Sequence, residues 1–262
     1  MRYLGLFFVL LQGMLCSSTS PKSSFRLLIL HDGETAKNMT NPHATDCRYI
    51  RKTFRSITAA LKLPMKVTES STQEFSSRKF REWTQKIQTT HDIAIVYYSG
   101  RQNKDGKGLV PSIQLSRGTS LEVTNGFDMS AIPLRRRPRF ALTCFDCYET
   151  LIPFSGKQAQ LAKPLSKKEG MKYRKYFQKL FLKSHGNLLL GSPQKGHQGF
   201  GFVIGEKKQG AFTRAFLAAL RQSNNNWCQL IQETRRALQQ NPFPEQDCFE
   251  TSSKLMPSYS QK

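Results

Sequence analysis

The run His91-Asp-Ile-Ala-Ile-Val-Tyr-Tyr-Ser-Gly-Arg-Gln-Asn-Lys-Asp-Gly106 decides the fold once it is set beside Arg139-Phe-Ala-Leu-Thr-Cys-Phe-Asp-Cys-Tyr-Glu-Thr150. Each is a short apolar stretch of about the length of a buried strand. Each ends in a cluster of small and polar residues. In an open parallel sheet, the loops leaving the C-terminal ends of neighbouring strands meet on one edge. The two polar clusters are therefore expected to face a single site.

Working outward, Phe25 to His31 reads as a first strand, and Thr45 and Asp46 can cap a helix that carries Ile50, Phe54, Ile57 and Leu61 on one face. Met65 to Thr68 is a second short strand, and a helix from about Thr72 to Gln88 turns Phe80, Trp83 and Ile87 inward. This β-α-β-α-β alternation predicts a parallel sheet with helices on both faces. Residues 112–134 lack strong periodicity and read as an extended connection. A helix is expected over Lys168 to Lys183, a fifth strand over Gly186 to Ser192 and a sixth over Gly199 to Ile204. Two amphipathic helices follow, with Phe212, Phe216 and Leu220 and then Trp227, Leu230, Ile231 and Leu238 as their apolar faces. From Asn241 the chain reads as loop.

The segment Ile93 to Gly100, ending in Tyr-Ser-Gly, resembles the strand of the caspase-like cysteine peptidases (clan CD, family C14), where the run ends in Tyr-Ser-Gly-His-Gly. The Asp-Cys-Tyr-Glu segment from Asp146 and the Gly-Ala-Phe-Thr segment from Gly210 resemble two further motifs of that family. The resemblance spans about Phe25 to Cys248. It implies an α/β, caspase-like three-layer sandwich with a mostly parallel sheet of about six strands, and a degenerate bacterial member of the family.

In the family the His after Tyr-Ser-Gly is the general base, and a Cys in an Asp-x-Cys motif is the nucleophile. Here Arg101 stands at the His position and Gln102 at that of the second Gly. Aligning Asp146 puts Tyr148 at the nucleophile position, whereas a shift of one residue makes Cys147 the nucleophile and Phe145 replaces the Asp. Neither register restores the base. A thiol needs a base or a positive neighbour to form a useful thiolate, and the same base must then protonate the leaving amine. A guanidinium, with a pKa above about 12, can lower a thiol pKa but cannot shuttle a proton. Losing a dyad member costs on the order of 10³ to 10⁶ in rate. His185 is a candidate substitute base, and Asp146 could bind a basic residue of a substrate.

Residues 1–20 combine Arg2, the apolar run Leu4 to Leu11 and small residues from Cys16 to Ser20, the pattern of a secretory signal peptide. Residues 21–250 are then one domain, and 251–262 a flexible tail. Cys16 follows Gly-Met-Leu, a poor match to the box that precedes a lipidated cysteine. The odd set Cys47, Cys144, Cys147, Cys228 and Cys248 leaves at least one free thiol after cleavage. Cys144 and Cys147 have CxxC spacing, but without a second pair they read as buried structural cysteines rather than a metal or redox site. No cofactor is implied.

The chain carries 40 Lys and Arg against 18 Asp and Glu, a formal charge of +22 that becomes +21 when Arg2 is removed. Such an excess predicts polyanion partners: an acidic envelope polymer or lipid headgroups for an exported protein. No nucleic-acid fold motif accompanies it, so no specific nucleic-acid partner is expected. Three functions compete: a pseudo-peptidase holding a peptide or protein ligand in its cleft, an active cysteine endopeptidase using Cys147, and a basic envelope-binding protein of the periplasm or cell exterior.

Overall fold

The continuous apolar runs of the sequence become the central strands. The computed structural model describes residues 23–32, 42–88, 90–101, 112–117, 120–125, 137–148, 150–154, 161–192, 199–222, 226–239 and 249–253. Strands β1 (Phe25–His31), β3 (Ile93–Gly100) and β6 (Phe140–Cys147) are buried along their whole length, as strands covered on both faces must be. They lie side by side, with β2 (Met65–Ser71) outside β1 and β8 (Gly186–Ser192) outside β6, and all five are parallel. A sixth strand, β11 (Phe249–Ser253), closes the far edge antiparallel to β8, giving the order β11-β8-β6-β3-β1-β2.

Helix α1 (Pro42–Leu61) crosses from β1 to β2, and α2 (Ser77–Gln85) crosses back from β2 to β3 on the other side of β1. Right-handed crossovers running in opposite directions put their helices on opposite faces. The core divides accordingly. Ile50, Phe54 and Ile57 of α1 join Leu27, Ile29, Ile95 and Leu142 on one face, and Phe80 and Trp83 of α2 join Leu28, Leu30, Val96 and Phe145 on the other. The α1 face is also covered by α3 (Lys167–Lys172), α4 (Arg174–Phe177) with the π-helical turn Gln178–Leu182, α5 (Ala211–Ala219) and α6 (Trp227–Gln239). The three-layer α/β sandwich with a mostly parallel six-stranded sheet is the architecture expected.

Several assignments differ. The Gly199 to Ile204 strand does not join the main sheet. As β9 (Phe200–Ile204) it pairs with β7 (Thr150–Pro153) and β10 (Lys207–Gly210) in a separate three-stranded sheet. Gly205, at φ +61, makes the β9–β10 turn, a backbone conformation that favours glycine. The sixth place in the main sheet goes instead to β11, so residues 251–253, assigned to a tail, are strand. Residues 112–117 and 120–125 pair antiparallel as β4 (Ser112–Arg117) and β5 (Ser120–Asn125), rather than forming a plain connection. The helix expected over Thr72 to Gln88 is shorter, with Ser76 accepting from the Lys79 N–H as its N-cap. Asp46 does not cap α1, because the helix already begins at Pro42 and Asp46 lies inside it, fully buried. Residues 1–20, Gln102 and Cys248 lie outside the described residues.

Candidate functional site

Chain order reverses direction between β1 and β3, and a parallel sheet opens a crevice at the carboxyl ends of two such strands. Here that point holds Asp32, Ser99, Gly100 and Arg101. The Arg101 N–H donates to Asp32 Oδ2 at 2.6 Å, the Tyr98 hydroxyl donates to the Arg101 carbonyl at 2.7 Å, and Thr72 Oγ1 donates to Asp32 Oδ1 at 2.8 Å. Gly100 is required by crowding, since a Cβ there would lie 2.3 Å from Tyr98 Oη. These bonds fix the backbone of Arg101, and its side chain is exposed.

The two motif ends meet. Gly100 is the register partner of Cys147, and the Tyr148 N–H donates to the Gly100 carbonyl at 3.1 Å. Arg101 and Tyr148 are thus the first residues beyond the last paired position of two neighbouring strands. Their side chains have different fates. Tyr148 turns to the α1 face and is buried, and its hydroxyl donates to Asp46 Oδ2 at 2.9 Å. Burial, and then the Asp46 and Asp146 carboxyls, push the Tyr148 phenol well above its ordinary value. Cys147 turns to the α2 face, among Leu30, Val96, Tyr98 and Phe145. Burial pushes its thiol up as well, away from the thiolate that a nucleophile requires.

A polar network fills the α1 side. Ser99, 0% exposed, donates to Asp46 Oδ2 at 3.3 Å and lies 3.0 Å from His43 Nδ1. The His43 ring also rests 4.6 Å from the Tyr148 ring, and burial lowers its imidazole to about 4. His43 is therefore neutral near pH 7. It and Cys147 lie on opposite faces of the sheet, so they do not form a thiol–imidazole pair.

The second carboxyl of the network is Asp146, 0% exposed. Strand β10 runs directly into α5 with Gly210 as its N-cap, and this delivers the helix N-terminus to the end of β6. Asp146 Oδ2 accepts the Thr213 N–H at 2.8 Å and the Thr213 hydroxyl, while Asp46 accepts the Gly210 N–H at 3.1 Å through Oδ2. The two carboxyls straddle Gly210, whose added Cβ would sit 2.1 Å from Asp146 Oδ2. Free N–H groups and the positive end of a helix suit an anion. Two carboxylates in a dry site are nonetheless too many. Burial, then repulsion from Asp146, raises Asp46 well above the ordinary carboxyl range. Burial, opposed by the Thr213 bonds, pushes Asp146 up to about 7.

Asp146 is thus turned onto α5 rather than toward a substrate, because the helix N-terminus supplies the donors it needs. His185 is exposed just before β8, at the amino edge of the sheet. The length of a strand, about 3.3 Å for each residue, separates it from Arg101 and Tyr148. Among the described residues no group of three or more His, Cys, Asp or Glu is arranged to hold a metal ion. The residues missed from the sequence are His43, Asp46, Ser99 and Thr213. Asp46 could have been found: it falls four residues before Ile50 and eight before Phe54, in phase with the buried stripe of α1.

The chain resembles several solved structures at low identity. Protein GSU0716 from Geobacter sulfurreducens is 13% identical, over 89% of this chain and 94% of that one, with a TM-score of 0.46. The Drosophila initiator caspase Dronc is 8% identical, over 87% and 78%, at 0.45, and pro-sf-caspase-1 is 11% identical, over 89% and 92%, at 0.46. No curated protein matches the sequence. The family model for the caspase domain, peptidase C14, matches residues 27–262. With its two motif ends joined across β3 and β6 and nearly its whole length matched, this chain belongs to the caspase domain family.

Proposed function

We propose that this caspase domain is a pseudo-peptidase that holds a peptide or protein ligand without cutting it. One observation carries the reading. At the two positions that align with base and nucleophile stand an exposed guanidinium, Arg101, and a buried phenol, Tyr148, already committed to Asp46. A guanidinium cannot accept the proton that acyl transfer must move, and Cys147 sits in an apolar cluster with its thiol pushed up. Arg101 suits an acidic group on the ligand, through charge-assisted hydrogen bonds. The pattern of residues 1–20 supports export as the setting in which this binding occurs.

The test is a library of fluorogenic peptides with Arg, Lys or Asp at the cleavage site, offered to the parent and to Cys147→Ala with and without calcium. No turnover by folded protein is expected. Fluorescence anisotropy with acidic and basic peptides then reads binding, which Arg101→Ala should weaken for acidic ones. Turnover that Cys147→Ala abolishes would overturn the reading and make Cys147 the nucleophile.

A further inference from the structure

The lysine-rich residues 161–185 that lead into β8 take no part in the cleft, yet they are held in a defined place. Ser166 and Glu169 cap α3 reciprocally. Ser56 Oγ of α1 donates to the Leu165 carbonyl at 2.7 Å, and the Leu165 N–H donates to Thr53 Oγ1 at 3.1 Å. Gly170 lies so close to α1 that a Cβ would come within 2.6 Å of the Ser56 carbonyl oxygen. Arg221 ties the segment to α5, donating to Glu169 Oε1 at 3.0 Å.

The helical ladder continues from α3 into α4, with the Tyr173 N–H donating to the Glu169 carbonyl and the Phe177 N–H to the Tyr173 carbonyl, both at 3.0 Å. One helical face is therefore maintained across the join. At 100° for each residue, Lys167, Lys168, Met171, Lys172 and Lys175 fall within an arc of roughly 140°, and Lys179 follows in the π-helical turn. All six are exposed, while Gly170, Phe177, Leu180 and Phe181 are buried on the other side. Glu169, the one acid of the stretch, lies at the flank and is committed to Arg221. Met171, at 47%, is the large apolar side chain left exposed among the described residues, and it stands in the middle of the lysines.

We propose that this face docks on the surface of an anionic phospholipid bilayer, with the lysines over the headgroups and Met171 entering the interface. The proposal does not depend on the cleft. A rigid, convex array of five lysines without an exposed acid complements a negative surface rather than a single ligand. Transfer of the exposed Met171 side chain from water into the bilayer interface is favourable and adds to the charge attraction. Nucleic acid fits less well, because the face offers flexible point charges rather than arginine forks and no exposed aromatic ring on which a base could stack.

The test uses the full chain and phosphatidylcholine vesicles with and without phosphatidylglycerol, read by co-sedimentation. Neutral vesicles report any contribution of the apolar run in residues 1–20, which the variants leave untouched. Binding to anionic vesicles should fall with added salt. Each lysine near a charged surface is worth about fivefold in affinity. Replacing Lys167, Lys168, Lys175 and Lys179 together by Gln should therefore weaken binding on the order of 10² to 10³-fold. These exposed positions leave the core intact, which a thermal melt checks. Met171→Ser should weaken vesicle binding several-fold while leaving retention on a cation-exchange resin unchanged. Undiminished binding by the quadruple variant sinks the proposal. So does displacement of vesicles by duplex DNA of equal charge with no effect of Met171→Ser, an outcome that assigns the face to nucleic acid.

Discussion

Replacing Asp46 by Asn tests the buried carboxyl pair directly. Asn has nearly the size of Asp, its Oδ1 can accept the Gly210 N–H, and the hydroxyls of Tyr148 and Ser99 can turn to accept from its amide. The variant should fold. What changes is a proton. A carboxyl that stays protonated in the folded protein but ionises in the unfolded chain makes stability fall as pH rises, by about 1.4 kcal/mol for each pH unit. His43 acts in the opposite sense: with its imidazole lowered to about 4, the unfolded chain takes up the proton first, so its contribution rises with pH from about 4 to 6.5. Above pH 6.5 that contribution is level, and the carboxyls dominate the comparison.

From pH 6.5 to 8 the proton that burial and Asp146 hold on Asp46 makes the parent lose stability as pH rises, with a slope of at most about 1.4 kcal/mol for each pH unit. The variant lacks this loss and keeps only the shallower slope of Asp146, which titrates near 7. Urea unfolding followed by fluorescence of the buried Trp83 and Trp227 gives both curves. The difference between them, rather than either alone, isolates Asp46. Parallel curves from pH 6.5 to 8 would refute the reasoning, because Asp46 would then be ionised in the folded protein.

Gly210→Ala pushes a methyl group onto Asp146 at the point where β10 becomes α5. Both partners are held by backbone, so the variant should lose at least about 2 kcal/mol in the same unfolding assay, and a loss within error would show that the junction can open. Alkylation of the native protein, mapped by mass spectrometry, should modify exposed Cys228 rapidly and leave buried Cys47, Cys144 and Cys147 protected. Modification of Cys147 at the rate of Cys228 would contradict its place in the apolar cluster.

The central sheet was legible because β1, β3 and β6 are unbroken apolar runs, and two crossover helices with a clear 3.6-residue stripe separate the first three strands in sequence. Strands at the margin were harder. Residues 150–153 and 207–210 are four-residue strands, the latter Lys-Lys-Gln-Gly, and β11 is Phe-Glu-Thr-Ser-Ser, so neither length nor hydrophobicity announces them. Gly199 to Ile204 was legible as a strand, but its pattern carries no information about which sheet receives it. The site divides the same way. Local motifs put Arg101 and Tyr148 at neighbouring strand ends, whereas the helical phase of α1 marks Asp46 only as buried, and the contacts that Asp46 and Thr213 make across the chain are encoded by no local pattern.

Those contacts bear on how the protein assembles. The bond from Tyr148 to Asp46 closes a separation of 102 positions, that from Gly210 to Asp46 one of 164, and that from Thr213 to Asp146 one of 67. Chain entropy must be spent on such closures before they return anything, so they belong to the late, consolidating side of folding. Gly210→Ala should therefore raise the unfolding rate more than it lowers the folding rate, as read from the two arms of a urea chevron. A cleft whose interior is cross-braced by its own carboxyls thus governs how long the molecule stays folded.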